Sequence, residues 1–278
     1  MANSPATPTH IIRPPRGWGI PDLRELWRYR ELLYFLTWRN IKVRYKQTVL
    51  GVAWAVLQPF ITMVVFSIFF GRLAKMPSDN FPYPIFAYAG LLPWDFFAKA
   101  FNQAGRSLVA SRPMLTKVYF PRLSIPLAAI LSALVDFAIA FGVLIGLMVW
   151  YGVRPTPQVW TLPLFLLLAF VVTVGASLWA AALNVLYRDV GYIIPYIVNL
   201  LFFVTPVVYS SNLVPEKWRL VYSLNPMAGV VIGFRWALLG TPTGPDAGMA
   251  LSVLVAVLVL ASGLVFFRYM ERFFADRV

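Results

Sequence analysis

The sequence predicts an all-α integral membrane fold. It comprises six transmembrane helices, an N-terminal interfacial amphipathic helix, and two short external re-entrant helices between the fifth and sixth spans. Composition is the first support. Of 278 residues, 60% are hydrophobic and 13% charged, and the mean hydropathy is +0.71, whereas a soluble domain carries about a quarter charged residues. The second is the recurrence of apolar stretches near the roughly 20 residues that cross a ~30 Å hydrocarbon core. The third is the placement of basic residues, which gather in alternate connecting segments.

Residues 1–20 are Pro-rich and hold no apolar core of a cleavable leader. They are expected to form a flexible tail, with the stretch from Leu50 acting as an uncleaved signal anchor. Pro21 suits the first turn of a helix. Over 21–48, Arg24, Arg28, Glu31, Arg39, Lys42 and Lys46 recur at helical spacing beside Leu23, Trp27, Tyr34, Trp38, Ile41 and Tyr45. That pattern fits a helix in the headgroup plane, or an amphipathic helix packed on a soluble partner.

The clear spans are 50–70, 125–150, 163–186 and 247–267. Segment 84–104 carries Pro93, Asp95 and Lys99, and segment 193–209 carries Pro195 and Pro206. Prolines inside spans are tolerated where neighbouring helices or water satisfy the freed carbonyls. With the N-terminus inside, 17 of the 24 basic residues fall in cytoplasmic segments. Six fall outside: Arg72, Lys75, Arg154, Lys217, Arg219 and Arg235. Both termini are therefore expected in the cytoplasm.

The loop 105–123 has four basic residues and no acid, and a short helix is expected near 113–119. It is a topology determinant and, in a transporter, a place where another subunit could push. Residues 212–240 are too few for two crossings, which need about 40. Val214-Pro215 and Asn225-Pro226 begin two short helical runs instead, the second with Asn as cap and Pro at the first position. Shaping a pathway and simple packing both fit them.

The chemistry available is narrow. Cysteine is absent and His10 is the sole histidine, which excludes disulfides, thiolate chemistry and histidine-based triads or zinc clusters. A net charge of +13 fits nucleic-acid binding or cytoplasmic membrane loops, and the hydrophobicity selects the loops. Asp136, about ten residues into a span, is read as a structural acid with a basic partner, or as part of an ion path. Asp95 and Lys99, at i and i+4, are expected to neutralise each other. Arg188-Asp189 marks a tight turn.

Two helical faces mix aromatic and polar groups: Trp54, Gln58, Thr62 and Phe66 on the first span, and Tyr192, Tyr196, Asn199 and Phe203 on the fifth. Sugars stack their C–H faces on rings while their hydroxyls seek amides, so such faces suit a glycan. Ordinary packing and interfacial belts explain them equally well at this stage. No phosphate-binding loop of the form G-x-x-x-x-G-K-[ST] occurs, so a transporter of this kind would need a separate motor.

Several stretches in order carry a family likeness. These are Leu50-Gly51-Val52-Ala53-Trp54 with Leu57-Gln58-Pro59, Gly90-Leu91-Leu92-Pro93-Trp94 with Phe97, and Thr116-Lys117-Val118-Tyr119-Phe120-Pro121-Arg122. They continue with Leu183-Asn184-Val185-Leu186-Tyr187-Arg188-Asp189-Val190, Leu213-Val214-Pro215-Glu216-Lys217-Trp218 and Leu224-Asn225-Pro226-Met227 leading into Phe234-Arg235. From about residue 30 onward the chain resembles the membrane subunit of type-two ABC exporters for polysaccharides, nearest the O-antigen branch. The tail Arg277-Val278 departs from the usual apolar ending.

The resemblance implies a permease domain over 21–278, moving lipid-linked polysaccharide across a bacterial cytoplasmic membrane. It implies no catalysis, no metal and no cofactor in this chain. Two copies would work with two ATPase subunits that hold ATP and magnesium. A channel would be lined by Trp54, Gln58, Thr62, Phe66, Tyr88, Trp94, Phe97, Tyr192, Tyr196, Asn199 and Phe203. Coupling to the ATPase would run through Arg112, Met114, Leu115, Thr116, Lys117, Val118, Tyr119 and Phe120. An external gate would use Pro215, Trp218, Tyr222, Asn225, Pro226, Phe234 and Trp236. Export of teichoic acid, capsule, lipid or drug, or a membrane-embedded transferase, are the competing readings.

Overall fold

The structure is a computed structural model that describes residues 23–46, 52–115, 117 and 119–274. The expected tail 1–20, the start of the first span at Leu50 and the coupling residues Thr116 and Val118 lie outside the described residues. All regular structure among the described residues is helical. Along the chain come α1 (Leu23–Arg28), α2 (Arg30–Lys46) and α3 (Val52–Phe66), which runs on as a π-helical stretch, Ser67–Leu73. Next are α4 (Tyr83–Ala110), α5 (Arg112–Leu115), α6 (Ser124–Trp150) and α7 (Leu162–Leu186), the last entered through a 3-10 turn. Then follow α8 (Val190–Val204), α9 (Glu216–Ser223), α10 (Pro226–Leu239) and α11 (Ala247–Glu271).

Among the described residues, four helices are long and apolar enough to cross a membrane: Ala53–Leu73, Ser124–Trp150, Pro157–Leu186 and Ala247–Glu271. These coincide with the four clear spans read from the sequence. α4 is as long, at 28 residues, but carries Asp95, Lys99 and Arg106. α8 has 15 residues and at 1.5 Å per residue extends roughly 22 Å.

α8 stops at Val204, short of the expected 209, for a local reason. Thr205 precedes Pro206 and takes an extended backbone, φ −98° and ψ 139°, because the proline ring disfavours helical geometry in the residue before it. The two short helices α9 and α10 form where Val214-Pro215 and Asn225-Pro226 were expected to start them. Asn225 caps α10 by accepting from the Met227 N–H at 3.1 Å. Of the helix expected near 113–119, the described part is α5, Arg112–Leu115, with Pro113 in its first turn, and Thr116 and Val118 lie outside the described residues.

α4 is the hub. It packs on α6, α7, α10, α3 and α8, and is buried along most of its length. Small residues allow that closeness, among them Ala87, Gly90, Ala100, Ala104 and Gly105. α7 also packs closely on α11. A Cβ on Gly263 would lie 2.5 Å from the Gly175 carbonyl oxygen, and one on Gly175 would lie 2.6 Å from the Leu260 nitrogen. The two backbones touch there without intervening side chains.

Substituting Gly263→Leu forces that crossing apart, so the detergent-solubilised protein should lose about 1–3 kcal/mol of stability, the usual scale of overpacking. Gly142→Leu, where nothing lies within 4 Å, should leave the melting temperature in place. Equal melting curves for both variants would contradict the crossing.

Candidate functional site

α3 and α8 both lean on α4, and their neighbouring rings meet. Phe66 lies 5.7 Å from Phe202, which lies 5.7 Å from Trp94. On α8 the packed side is Ile194 and Val198, both buried. The opposite side presents Tyr192 (81% exposed), Tyr196 and Phe203, with Asn199 exposed beside them. On α3, Trp54 and Gln58 are exposed, and the half-buried Thr62 donates to the Gln58 carbonyl at 2.9 Å. Phe66 is wedged against Phe70 and Phe202.

The expected lining residues on α4 sit elsewhere. Tyr88 is fully buried and its hydroxyl donates to the Ala140 carbonyl at 3.2 Å. Trp94 and Phe97 are 3% exposed, their centroids 5.4 Å apart, with Phe101 stacked beyond. Enclosure of α4 by five helices turns these rings into core packing.

Asp136, buried on α6, is met by the Arg44 guanidinium and the Tyr45 hydroxyl of α2. Arg44 donates further to Gln103 Oε1 at 2.5 Å and Ser132 Oγ at 3.3 Å. Burial, and then the hydrogen bond to Asp136, push Tyr45 up to about 12, so it keeps its proton and remains a donor. Of the two sequence readings of Asp136, the structural acid is the one this geometry supports; its partner is Arg44.

Asp95 and Lys99 do not close an ion pair. Both border a small hollow that includes Asp136, which puts Lys99 in the field of two carboxylates. Lys99 also lines a cavity of about 250 Å³ with Arg44, Tyr45, Trp54 and Gln58.

In the loop after α4, Lys117 and Tyr119 are exposed. The Tyr119 hydroxyl donates to Glu25 Oε1 of α1 at 3.4 Å. Arg112, Met114 and Leu115 are half-buried, and Phe120, at 5% exposed, is an anchor in the core. Arg122 donates to the Glu271 carbonyl and lies over the Phe274 ring, fastening the loop to the end of α11.

On the opposite end, Pro215 caps α9, from which Trp218 stands exposed. The Tyr222 and Tyr209 hydroxyls are 3.1 Å apart. Asn225 Nδ2 donates to Thr205 Oγ1 at 2.9 Å, and Pro226 opens α10. Phe234 is fully buried, edge-on to Phe137, while the half-buried Trp236 meets Phe165.

Between those two rings lies the residue that sequence reading misplaced. Arg235, counted there as an external charge, is 3% exposed. It donates to the carbonyls of Phe86 (3.0 Å), Pro206 (2.6 Å), Val207 (2.5 Å) and Tyr209 (3.2 Å). Its guanidinium carbon is 3.6 Å from the Phe86 ring centroid. A lone charge within a 14-residue apolar helix was the available signal, since such a charge must be partnered inside the fold. Gly90 makes room, because a Cβ there would strike the guanidinium.

The description "ABC-2 type transporter" belongs to a family model that matches residues 31–239. Over 255 residues the chain is 33% identical to the O-antigen export system permease protein RfbA of Myxococcus xanthus, covering 90% of this chain and 97% of that protein. It is 30% identical over 206 residues to a protein of that name from Klebsiella pneumoniae, covering 74% of this chain and 79% of that protein. The polysialic acid transport protein KpsM of Escherichia coli is 23% identical over 238 residues, with 84% and 91% covered.

Removing one partner of the α2–α6 pair strands a buried charge, so Arg44→Met should lower stability by about 3 kcal/mol. Replacing both partners, Arg44→Met with Asp136→Leu, should recover most of that loss. Thermal melts of the two purified variants decide the matter: a double variant as unstable as the single one would remove the pair as the cause.

Proposed function

The chain belongs to the ABC-2 type transporter family, and from that premise we propose that it is the channel-forming permease of an exporter of lipid-linked, O-antigen-like polysaccharide. The observation that carries the reading is similarity along nearly the whole length, 90% of this chain and 97% of the M. xanthus O-antigen permease. The exposed aromatic and amide faces of α3 and α8 support it chemically. Rings offer weak, replaceable stacking to sugar C–H faces, and Gln58, Asn199 and the tyrosine hydroxyls offer partners to sugar hydroxyls. This is a transport subunit, not an enzyme.

In the proposed assembly two copies face each other in the bacterial inner membrane, with both termini cytoplasmic and α4 and α8 completing six crossings. The channel wall is Trp54, Gln58, Thr62, Phe66, Tyr192, Tyr196, Asn199 and Phe203. A wall residue must reach the path, which leaves Tyr88, Trp94 and Phe97 as its backing. ATP and magnesium belong to two separate nucleotide-binding subunits. These press on the loop after α4, where Lys117 and Tyr119 stand out from the surface. α9 and α10 form the outer gate, held by Arg235.

Cells lacking this gene should accumulate lipid-linked polymer internally; normal surface polymer in them would refute the reading. Tyr192→Ala with Tyr196→Ala removes about 1 kcal/mol of ring contact each on the scale of aromatic interactions. Surface polymer should then appear roughly thirtyfold more slowly from a normally assembled complex. Lys117→Glu should leave the protein folded while ATP hydrolysis no longer yields export; unchanged export would remove Lys117 from the coupling contact. Arg122 serves less well for that test because it also fastens α11.

A further inference from the structure

α2 and α4 both pack on α6, and the gap they leave is a groove of about 600 Å³, within the size range of small-molecule sites. Its polar lining is basic and amide-bearing, with Arg39 and Asn40 from α2 and Gln103 and Arg106 from α4. The floor is apolar, from the buried Leu36, Ile125 and Ala128. No carboxylate lines it among the described residues. Arg44, at its edge, is already engaged by Asp136. Arg39 makes no hydrogen bond or ion pair with any described residue. Arg106 donates Nε and Nη2 to the Gly191 carbonyl, at 3.1 and 2.6 Å. That contact fixes the guanidinium at the rim with Nη1 uncommitted.

We propose that this groove binds the phosphate of a membrane-lipid headgroup, with Arg39 and Arg106 clasping the anion and the apolar floor taking the first part of the chain. Guanidinium groups suit phosphate oxygens because planar N–H donors match them in pairs. Two cations facing one hollow without an acid repel each other unless an anion sits between them. The apolar floor selects a lipid over a free anion, since inorganic phosphate would leave it wet. The outer face of α2 agrees, with Tyr34, Phe35 and Trp38 exposed as in helices that lie at headgroup depth. This site is separate from the exposed faces of α3 and α8, and binding to it requires no glycan.

The test uses the purified full-length chain in mild detergent, with bound lipid counted by native mass spectrometry. The probes are phosphatidylglycerol, diacylglycerol with matched chains, and inorganic pyrophosphate. The chain should retain phosphatidylglycerol and not diacylglycerol. With about 1 kcal/mol per lipid-facing cation, Arg39→Gln should weaken retention about fivefold, and Arg39→Gln with Arg106→Gln about thirtyfold. Because Arg106 also holds Gly191, Arg39→Gln decides if the double variant misfolds, as read by circular dichroism and elution volume. Equal retention of phosphatidylglycerol by the chain and by Arg39→Gln would overturn the site. Equal retention of diacylglycerol would overturn the role of the phosphate. Ready displacement of the lipid by pyrophosphate would assign the groove to free anions and overturn the lipid assignment. Failure of polymer export in cells, with lipid retention intact, would bear on the transport reading alone.

Discussion

The end of this protein that holds α9 and α10 depends on a buried cation that closes no ion pair among the described residues. Arg235 is buried, and an unpaired guanidinium in a low-dielectric interior is costly unless its donors are satisfied. The answer lies in the break after α8. Pro206 ends the helix, so the carbonyls of residues 206–209 have no helical partners, and buried carbonyls must find donors. Arg235 supplies them at Pro206, Val207 and Tyr209, while Tyr83 donates to the intervening Val208 carbonyl at 2.6 Å. Each defect satisfies the other. A broken helix and a buried charge, both unfavourable alone, together lock α10 to the start of α4 and the end of α8.

A second polar clamp works at the far end of α4. There the charge is paired: Arg44 of α2 reaches Asp136 of α6 and Gln103 of α4. α4 is thus fastened near both termini by arginines from other helices. Between the clamps it relies on close packing of small and aromatic residues. Apolar contact between helices gains little in lipid, where tails are as apolar as leucine, so polar clamps and backbone proximity carry a larger share of specificity.

Aromatic residues are divided unevenly between the hub and its flanking helices. The rings on α4 are consumed in packing, whereas Trp54 of α3 and Tyr192, Tyr196 and Phe203 of α8 stand exposed. A rigid hub with uncommitted flanking faces suits a subunit that guides a polymer and takes its energy elsewhere. The loop after α4 is rooted in the fold by Phe120 and Arg122, while Lys117 and Tyr119 stay exposed and Tyr119 touches Glu25 of α1.

Much of this was legible in the residues alone. Length and apolarity set the four clear spans, because hydrocarbon thickness admits few alternatives. Asn225-Pro226 and Val214-Pro215 announced α10 and α9, because helix starts are local chemistry. The mixed faces of α3 and α8 were visible as helical periodicity. Tertiary structure decided what periodicity cannot: which face of each helix is covered. That is why Tyr88, Trp94 and Phe97 became core, why Asp95 and Lys99 did not pair, and why Asp136 found Arg44 across 92 positions of sequence. It also turned Arg235 from a loop charge into the pin between α10, α4 and the end of α8, since a partner formed by backbone carbonyls leaves no trace in side-chain identity.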